Sequence, residues 1–416
     1  MSHGKRLHQK LRQAVFPPSL PGFIPGNHIT LLHNGNDYFP AIEAAFDRAR
    51  HEIYLETYIY ENDATGRRIA EALKRAALRG VTVYVLIDGY GSKDLPHNML
   101  DYLQTDGVKV LIFRPKISPW TLRRKRLRRL HRKIVVVDRE IAFVGGINII
   151  NDSGTTGETP RYDYAISVEG PLVDEIRLSA RRLWSMVAWS RFRKGTARNR
   201  ILPVSTFAGG EMDAAFLVRD NFRHRRDIEA AYLHALEQAK SEIVLAHAYF
   251  LPGLDFRHAL VDAAGRGVRV VLLLQGNVEY FLQHYATRAL YGSLLDAGIE
   301  IYEYAKGFLH AKVAVIDGHW ATVGSSNIDP FSLLLSREAN IVIDDEDFGT
   351  VLTQSLKLTV ESDALRILSD SWKHQPVGLR FINWVSYGVL RLMMGISGYL
   401  PGSCRAGNEQ KYLDGK

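Results

Sequence analysis

Two short stretches of this 416-residue chain carry histidine, lysine and aspartate at one spacing. The first, HRKIVVVD, holds His131, Lys133 and Asp138; the second, HAKVAVID, holds His310, Lys312 and Asp317. Each runs on to a glycine, Gly145 or Gly324, and to an asparagine 17 residues after the histidine, Asn148 or Asn327. Among 15 histidines, a His-x-Lys-x4-Asp pattern is expected about 0.04 times by chance. Two matched copies are a signal. In an extended segment the histidine and the lysine share a face, because side chains alternate. That pairing suits a phosphoryl group: lysine and asparagine hold its oxygens while histidine attacks or protonates. The glycines are expected to let backbone approach a ligand closely.

The elements that must position these residues are duplicated too. AIEAAFDRARHEIYLETYIYEND (41–63) has a counterpart in AYLHALEQAKSEIVLAHAYFLPG (231–253). In each, a helical pattern runs into a β-branched and aromatic strand. A helix follows (69–80 and 257–267), then an apolar strand, VTVYVLID (81–88) or VRVVLLLQ (268–275). Another helix and a short strand, VKVLIF or IEIYEY, complete each copy. Alternation of this kind predicts a duplicated α/β fold: two similar lobes, each with a mixed, mostly parallel sheet flanked by helices. The lobes are expected at 29–195 and 213–362, joined by 196–212. A basic segment, 1–28, precedes them and a tail, 363–416, follows. Two equivalent strand ends meeting across a pseudo-twofold axis can build one site from two half-sites.

Hydrophobic residues at 46% and charged residues at 24% are the balance of a folded protein, which excludes a disordered or fibrous chain. A single cysteine, Cys404, excludes a disulfide framework and a cysteine-based zinc site, and fits a reducing compartment. The net charge of +8 is unevenly spread. Three acid-free windows, 1–28, 114–133 and 177–200, hold 22 positive charges and leave −14 for the rest. The middle one includes Arg123, Arg124, Lys125, Arg126, Arg128 and Arg129 and ends in the first motif. Charge of this kind favours an anionic surface, either the phosphates of nucleic acid or those of lipid. The N-terminus has Pro17, Pro18, Pro21 and Pro25 where a signal peptide needs an apolar core, so none is expected. No clean transmembrane span is evident either. In 381–400, Ile382, Val385, Val389, Leu392, Met393, Ile396 and Leu400 form one arc, and Asn383, Ser386, Arg391 and Ser397 the other. Such a helix either lies in a membrane surface or docks on the protein's own core.

HRKIVVVDREIAFVGGIN and HAKVAVIDGHWATVGSSN resemble the paired signatures of the phospholipase D superfamily, over roughly 29–362. The resemblance implies two α/β lobes with one active site at their interface. It implies a phosphohistidine intermediate formed without metal or other cofactor. His131 is then the nucleophile and His310 the general acid and base. Lys133, Lys312, Asn148 and Asn327 would hold phosphoryl oxygens, with Ser325 of GSSN in a supporting place. Asp138 and Asp317 belong to the motif but are expected in a structural role. Each histidine would be oriented through its other ring nitrogen by an acid, and the matching positions are Glu338 and Asp163.

Finer likeness in YLETYIYENDATG, LIDGYGS, HAYFLPG and WATVGSSNIDPFSLLLSREAN is to bacterial cardiolipin synthases, in the shorter B form that lacks paired N-terminal membrane helices. Ser336 departs from the pattern, where asparagine is expected. The likeness implies phosphatidyl transfer between two phosphatidylglycerol molecules, an anionic phospholipid partner rather than nucleic acid, and a peripheral place on the cytoplasmic side of the inner membrane. Phe331 and Leu333–Leu335 after the second motif, and Trp120, Leu122 and Leu127 within the basic run, suit a lipid with both acyl chain and charged headgroup. A hydrolase or nuclease using the same histidines is the alternative, and a non-catalytic membrane recruiter is a third.

Overall fold

The computed structural model describes residues 22–115, 128–151, 161–191, 209–220, 223–329 and 336–396. In the first lobe β1 (Ile24–His33) leads to α1 (Asn34–Arg48), β2 (Glu52–Thr57), α2 (Ala64–Leu78), β3 (Thr82–Asp88), α3 (His97–Gln104) and β4 (Lys109–Phe113). The motif strand β5 (Lys133–Val137) follows, then β6 (Ile141–Gly145), β7 (Tyr164–Glu169) and α4 (Leu172–Ser190). The second lobe repeats the order. It runs through β8 (Met212–Arg219), α5 (Asp227–Gln238), β9 (Glu242–His247), α6 (Leu254–Gly265), β10 (Arg269–Gln275), α7 (Phe281–Arg288), α8 (Tyr291–Asp296) and β11 (Glu300–Tyr304). Its motif strand is β12 (Lys312–Ile316), followed by β13 (Trp320–Gly324), β14 (Glu338–Asp344) and α9 (Glu346–Asp363). Beyond the repeat lie β15 (Ala364–Ile367), α10 (Ser369–Lys373) and α11 (Val377–Ile396). Strand β1 begins inside the segment assigned above to a basic arm, so residues 24–28 are sheet.

The described strands join in one sheet, ordered β15-β11-β10-β9-β12-β13-β14-β8-β1-β7-β6-β5-β2-β3-β4. The expectation of a mostly parallel sheet is corrected here. Among the described strands only β2–β3–β4 and β9–β10–β11 pair in parallel, and the other strand pairings are antiparallel; four isolated bridges outside the strands are parallel. The reason is local. After each motif strand the chain turns tightly at Asp138 or Asp317 instead of crossing over through a helix, so β5–β6 and β12–β13 are hairpins. Strands β2, β5 and β12 are buried along their whole length, as strands covered on both faces must be.

Helix α2 starts at Asp63, whose carboxylate accepts from the Gly66 N–H at 2.7 Å. It buries Ile69, Ala70, Leu73 and Ala76, spaced for one helical face. Asp345 caps α9 in the same way on Phe348. Three apolar clusters result: one peculiar to each lobe, and one built from both, with Val173, Ile176, Leu183 of α4 and Leu352, Leu356 of α9. That shared cluster makes the two lobes one body around the motif strands.

Helix α11 packs on α7 with its polar arc inward. Asn383, Ser386 and Leu390 are buried, while Phe381, Trp384 and Leu392 remain 63%, 65% and 64% exposed. Docking on the core thus occurs through the side that the helical wheel marks as polar. The residues beyond 396, Cys404 among them, lie outside the described part.

Candidate active site

Each motif enters its strand under the control of the opposite lobe. The His131 N–H donates to the Arg337 carbonyl at 2.9 Å, and the Arg337 N–H to that of Arg129 at 2.7 Å. The His310 N–H donates to the Tyr162 carbonyl and the Tyr162 N–H to that of Phe308, both at 2.8 Å. Residues 338 and 163 come next along those partner segments, so each lobe delivers its acid to the other lobe's histidine. His131 Nδ1 lies 3.0 Å from Glu338 Oε2, and His310 Nδ1 lies 2.6 Å from Asp163 Oδ2. With Nδ1–H donating to a carboxylate, each neutral ring keeps its lone pair on Nε2. Burial lowers the His131 pKa below its ordinary value, although Glu338 opposes this. Burial and then Lys312 lower His310 to about 3. At neutral pH both rings are uncharged.

The lysines are fully enclosed. Lys133 Nζ donates to the His131 carbonyl at 2.8 Å, and Lys312 Nζ to the His310 carbonyl. Burial, and after it the Lys312 charge, lowers Lys133 to about 7; burial lowers Lys312 to about 8. Two ammonium groups that gain by meeting an anion therefore share one small region. Burial raises the Asp163 carboxyl, but Lys312 and His310 outweigh it and hold its pKa below the usual value.

Asn148 and Asn327 are buried, and each Oδ1 accepts a backbone N–H, from Ile59 at 3.1 Å and Tyr249 at 3.4 Å. This fixes each amide so that its NH2 remains as the donor. Ser325 takes part through Glu338: its Oγ donates to Glu338 Oε2 at 2.6 Å and accepts from the Ala339 N–H at 3.0 Å. The first-lobe position matching Ser325 is Gly146, where a Cβ would stand 2.3 Å from Asp163 Oδ1. Gly145 and Gly324 likewise admit neighbouring strands. A Cβ there would meet the Ala165 Cα at 2.5 Å or the Asn340 side chain at 2.4 Å. The expectation that these glycines make room for a ligand is corrected: they make room for β7 and β14.

Asp138 and Asp317 lie far from the histidines, seven residues or roughly 20 Å along an extended strand. Both have positive φ, 54° and 53°, a region that aspartate tolerates better than most residues. The Asp138 carboxylate accepts the N–H groups of Arg50, His51 and Glu52 at 2.8–2.9 Å. Asp317 accepts those of Lys240, Ser241 and Glu242 at 2.8–3.1 Å. Each anchors its hairpin to the start of the neighbouring strand.

Three residues escaped the sequence reading. The Tyr58 ring lies edge-on to that of His131, centroids 4.8 Å apart. Asp88 and Gln275 close β3 and β10 and accept the N–H of the residue before each histidine, Leu130 at 2.8 Å and Leu309 at 3.3 Å. Their shared place at the end of VTVYVLID and VRVVLLLQ was the available signal.

A family model described as cardiolipin synthase, phospholipase D-like domain, matches residues 42–184 and 232–358. The chain belongs to this family. Cardiolipin synthase B of Salmonella typhimurium is 42% identical over 357 residues, 83% of each chain. That of Shigella flexneri is 40% identical over 352 residues, 82% of each. Cardiolipin synthase A of Proteus mirabilis is 29% identical over 88% of this chain and 75% of its own. Phosphatidylserine synthase of Haemophilus influenzae Rd KW20 shares the fold, with a TM-score of 0.66 at 14% identity over 96% of this chain and all of that one.

The basic windows are partly internal in this family member. Arg132 is buried and forms a two-pronged bond to Glu56, and Arg177 is buried against Glu52. Arg128 and Arg129 are half-buried; the Arg129 guanidinium sits 4.8 Å over the Tyr90 ring. Arg132 and Arg177 thus spend their charge on ion pairs inside the protein. Arg123, Arg124, Lys125 and Arg126, with Trp120, Leu122, Leu127, Phe331 and Leu333–Leu335, lie outside the described residues. At Ser336, the departure noted in the sequence, the carbonyl accepts from Arg219.

Proposed function

We propose that the chain is a phosphatidyltransferase that makes cardiolipin from two phosphatidylglycerol molecules, with one active site built by both lobes. The crossed pairs His131–Glu338 and His310–Asp163 carry this reading, since they bring two neutral, oriented imidazoles and two buried lysines together. The donor's phosphodiester lies between the rings, its oxygens held by Lys133, Lys312, Asn148 and Asn327. The His131 Nε2 lone pair attacks phosphorus as the bond to the glycerol oxygen breaks. His310, protonated in the presence of the bound anion, gives its Nε2 proton to that oxygen, and glycerol leaves. The terminal hydroxyl of a second phosphatidylglycerol then attacks phosphorus. Its proton passes to His310, the N–P bond breaks, and His131 recovers its lone pair.

Among the described residues no helix is long and apolar enough to cross a membrane. The outward apolar face of α11 offers another attachment. Phe381, Trp384 and Leu392 stand clear of the protein, with exposed Lys373 and Arg380 nearby to meet anionic headgroups. We place this face on the cytoplasmic side of the inner membrane, with phosphatidylglycerol in the same bilayer.

Purified protein on phosphatidylglycerol vesicles, without added divalent metal, tests the reaction by mass spectrometry of lipids and free glycerol. Cardiolipin rising in step with glycerol is expected. Phosphatidic acid without cardiolipin would make the enzyme a hydrolase, and no lipid turnover would overturn the reading.

A further inference from the structure

Duplication puts a loop beside each histidine. Asp88 ends β3 and accepts the Leu130 N–H, and Gln275 ends β10 and accepts the Leu309 N–H. Leu130 and Leu309 each precede a motif histidine, so the loops that follow, 89–96 and 276–280, lie at the histidine end of the sheet. Their side chains reach the site. Arg129, two residues before His131, lays its guanidinium 4.8 Å over the Tyr90 ring. The Tyr280 ring lies 5.7 Å from that of Tyr249, whose N–H donates to Asn327. Burial, and then Asp88, Tyr280 and Tyr90, raise the pKa of the Tyr58 hydroxyl, so both loops come close to the ring that lies edge-on to His131.

The outer surface of these loops is apolar. Tyr90, Val278, Tyr280 and Phe281 are 45–58% exposed. Phe281 opens α7, and α7 carries α11. Helix α7 has eight residues and is about 12 Å long, so α11 with its exposed Phe381, Trp384 and Leu392 passes close to Phe281. Single exposed apolar side chains are ordinary, but these join loop to helix in one surface. Its charge is basic. Glu279 is the only acid in 276–295 and already meets Arg161 at 3.5 Å and the Tyr249 hydroxyl at 2.5 Å. Asp94 of the first loop has Lys93 at 3.9 Å. Helix α11 holds Arg380 and Arg391 and no acid.

We propose that 277–281, together with Tyr90, is the rim on which the active site sits against an anionic bilayer, and that α11 extends the same contact. This rests on the phosphatidyl-transfer reading and adds where the site opens. A phospholipid must bring its phosphate to His131 while its acyl chains stay out of water. A rim that enters the interface lets the headgroup pass from bilayer to histidine without exposing those chains. Tyrosine suits that depth, since its ring is apolar and its hydroxyl stays at the level of the headgroups. Phe281 and Val278 add apolar area beneath it, and the arginines meet lipid phosphates.

The test compares full-length wild type with the double variant Val278→Ser, Phe281→Ser. Binding is read by flotation with phosphatidylglycerol vesicles. Turnover is read on dihexanoyl phosphatidylglycerol kept below its critical micelle concentration. The variant should show a ratio of bound to free protein about tenfold lower, with unchanged turnover of the monomeric lipid. Unchanged flotation overturns the rim. Turnover lost on monomers as well as on vesicles would place the two side chains in the site or the fold, and overturns it too. So would a lipid-free dimer in sedimentation velocity that the variant abolishes, which would make this surface a contact between copies. If wild type turns over neither lipid, the phosphatidyl-transfer reading falls, while flotation still decides whether this surface meets the bilayer.

Discussion

Directly after His131 the chain carries Arg132, buried and bonded to Glu56 at 2.7 Å through two nitrogens and to Ser179 at 2.9 Å. After His310 the same position is Ala311, and the place of Glu56 is taken by Ala246, both fully buried. The first lobe thus backs its histidine with a buried ion pair and covers it with Tyr58. The second backs its histidine with small apolar residues and carries Ala248 in the place of Tyr58. Both keep the lysine, the turn aspartate and the crossed acid. Duplication preserved the frame that presents each imidazole, while the surroundings diverged.

The sharpest way to break this comparison is to remove one histidine at a time. His131→Ala and His310→Ala should each lower cardiolipin formation about 10⁴-fold or more. Near-normal turnover by either variant would sink the shared site. Asp163→Asn and Glu338→Gln come next, with kcat reduced about 10²- to 10⁴-fold and KM changed little, because each disturbs the tautomer of a histidine in the opposite lobe. Equal damage would mark the crossing as symmetric.

Glu56→Ala leaves Arg132 buried without its carboxylate and should destabilise the fold by about 3–5 kcal/mol in urea unfolding. Adding Arg132→Ala copies the second lobe and should recover most of that loss. If the double variant is no better than the single one, the ion pair is not what separates the lobes.

Alkaline pH should raise KM severalfold. A lysine loses its charge as pH climbs through its pKa, so phosphate binding weakens first at about pH 7 through Lys133, then at about pH 8 through Lys312. A KM that stays flat from pH 6.5 to 9 would contradict this order. The smallest effect is expected at α11: Phe381→Ser with Trp384→Ser should reduce flotation with phosphatidylglycerol vesicles severalfold. Unchanged flotation would move the membrane contact elsewhere.

Much of the frame was legible because it is written in local spacing. Apolar runs predict β3 and β10, and the His-x-Lys pattern puts both side chains on one face. The hairpins were not legible, since IVVVD reads alike whether a turn or a crossover follows. Asp138 and Asp317 read as structural members of the motif, and positive φ with three backbone donors makes each the latch of a turn. Arg132 and Arg177 counted as surface charge because composition cannot reveal that Glu56 and Glu52 wait in the adjacent strand.

Residue types and their spacing by themselves determined the family, the duplication and the chemistry available to two histidines and two lysines. Those properties depend on short stretches of chain whose side-chain directions follow from backbone period. Tertiary structure alone decided which acid serves which histidine, which face of α11 turns outward, and which residues back each motif. Each of these joins residues far apart in sequence: 207 positions separate His131 from Glu338 and 147 separate Asp163 from His310. Only the pairing of strands across the lobe boundary brings them within hydrogen-bond reach.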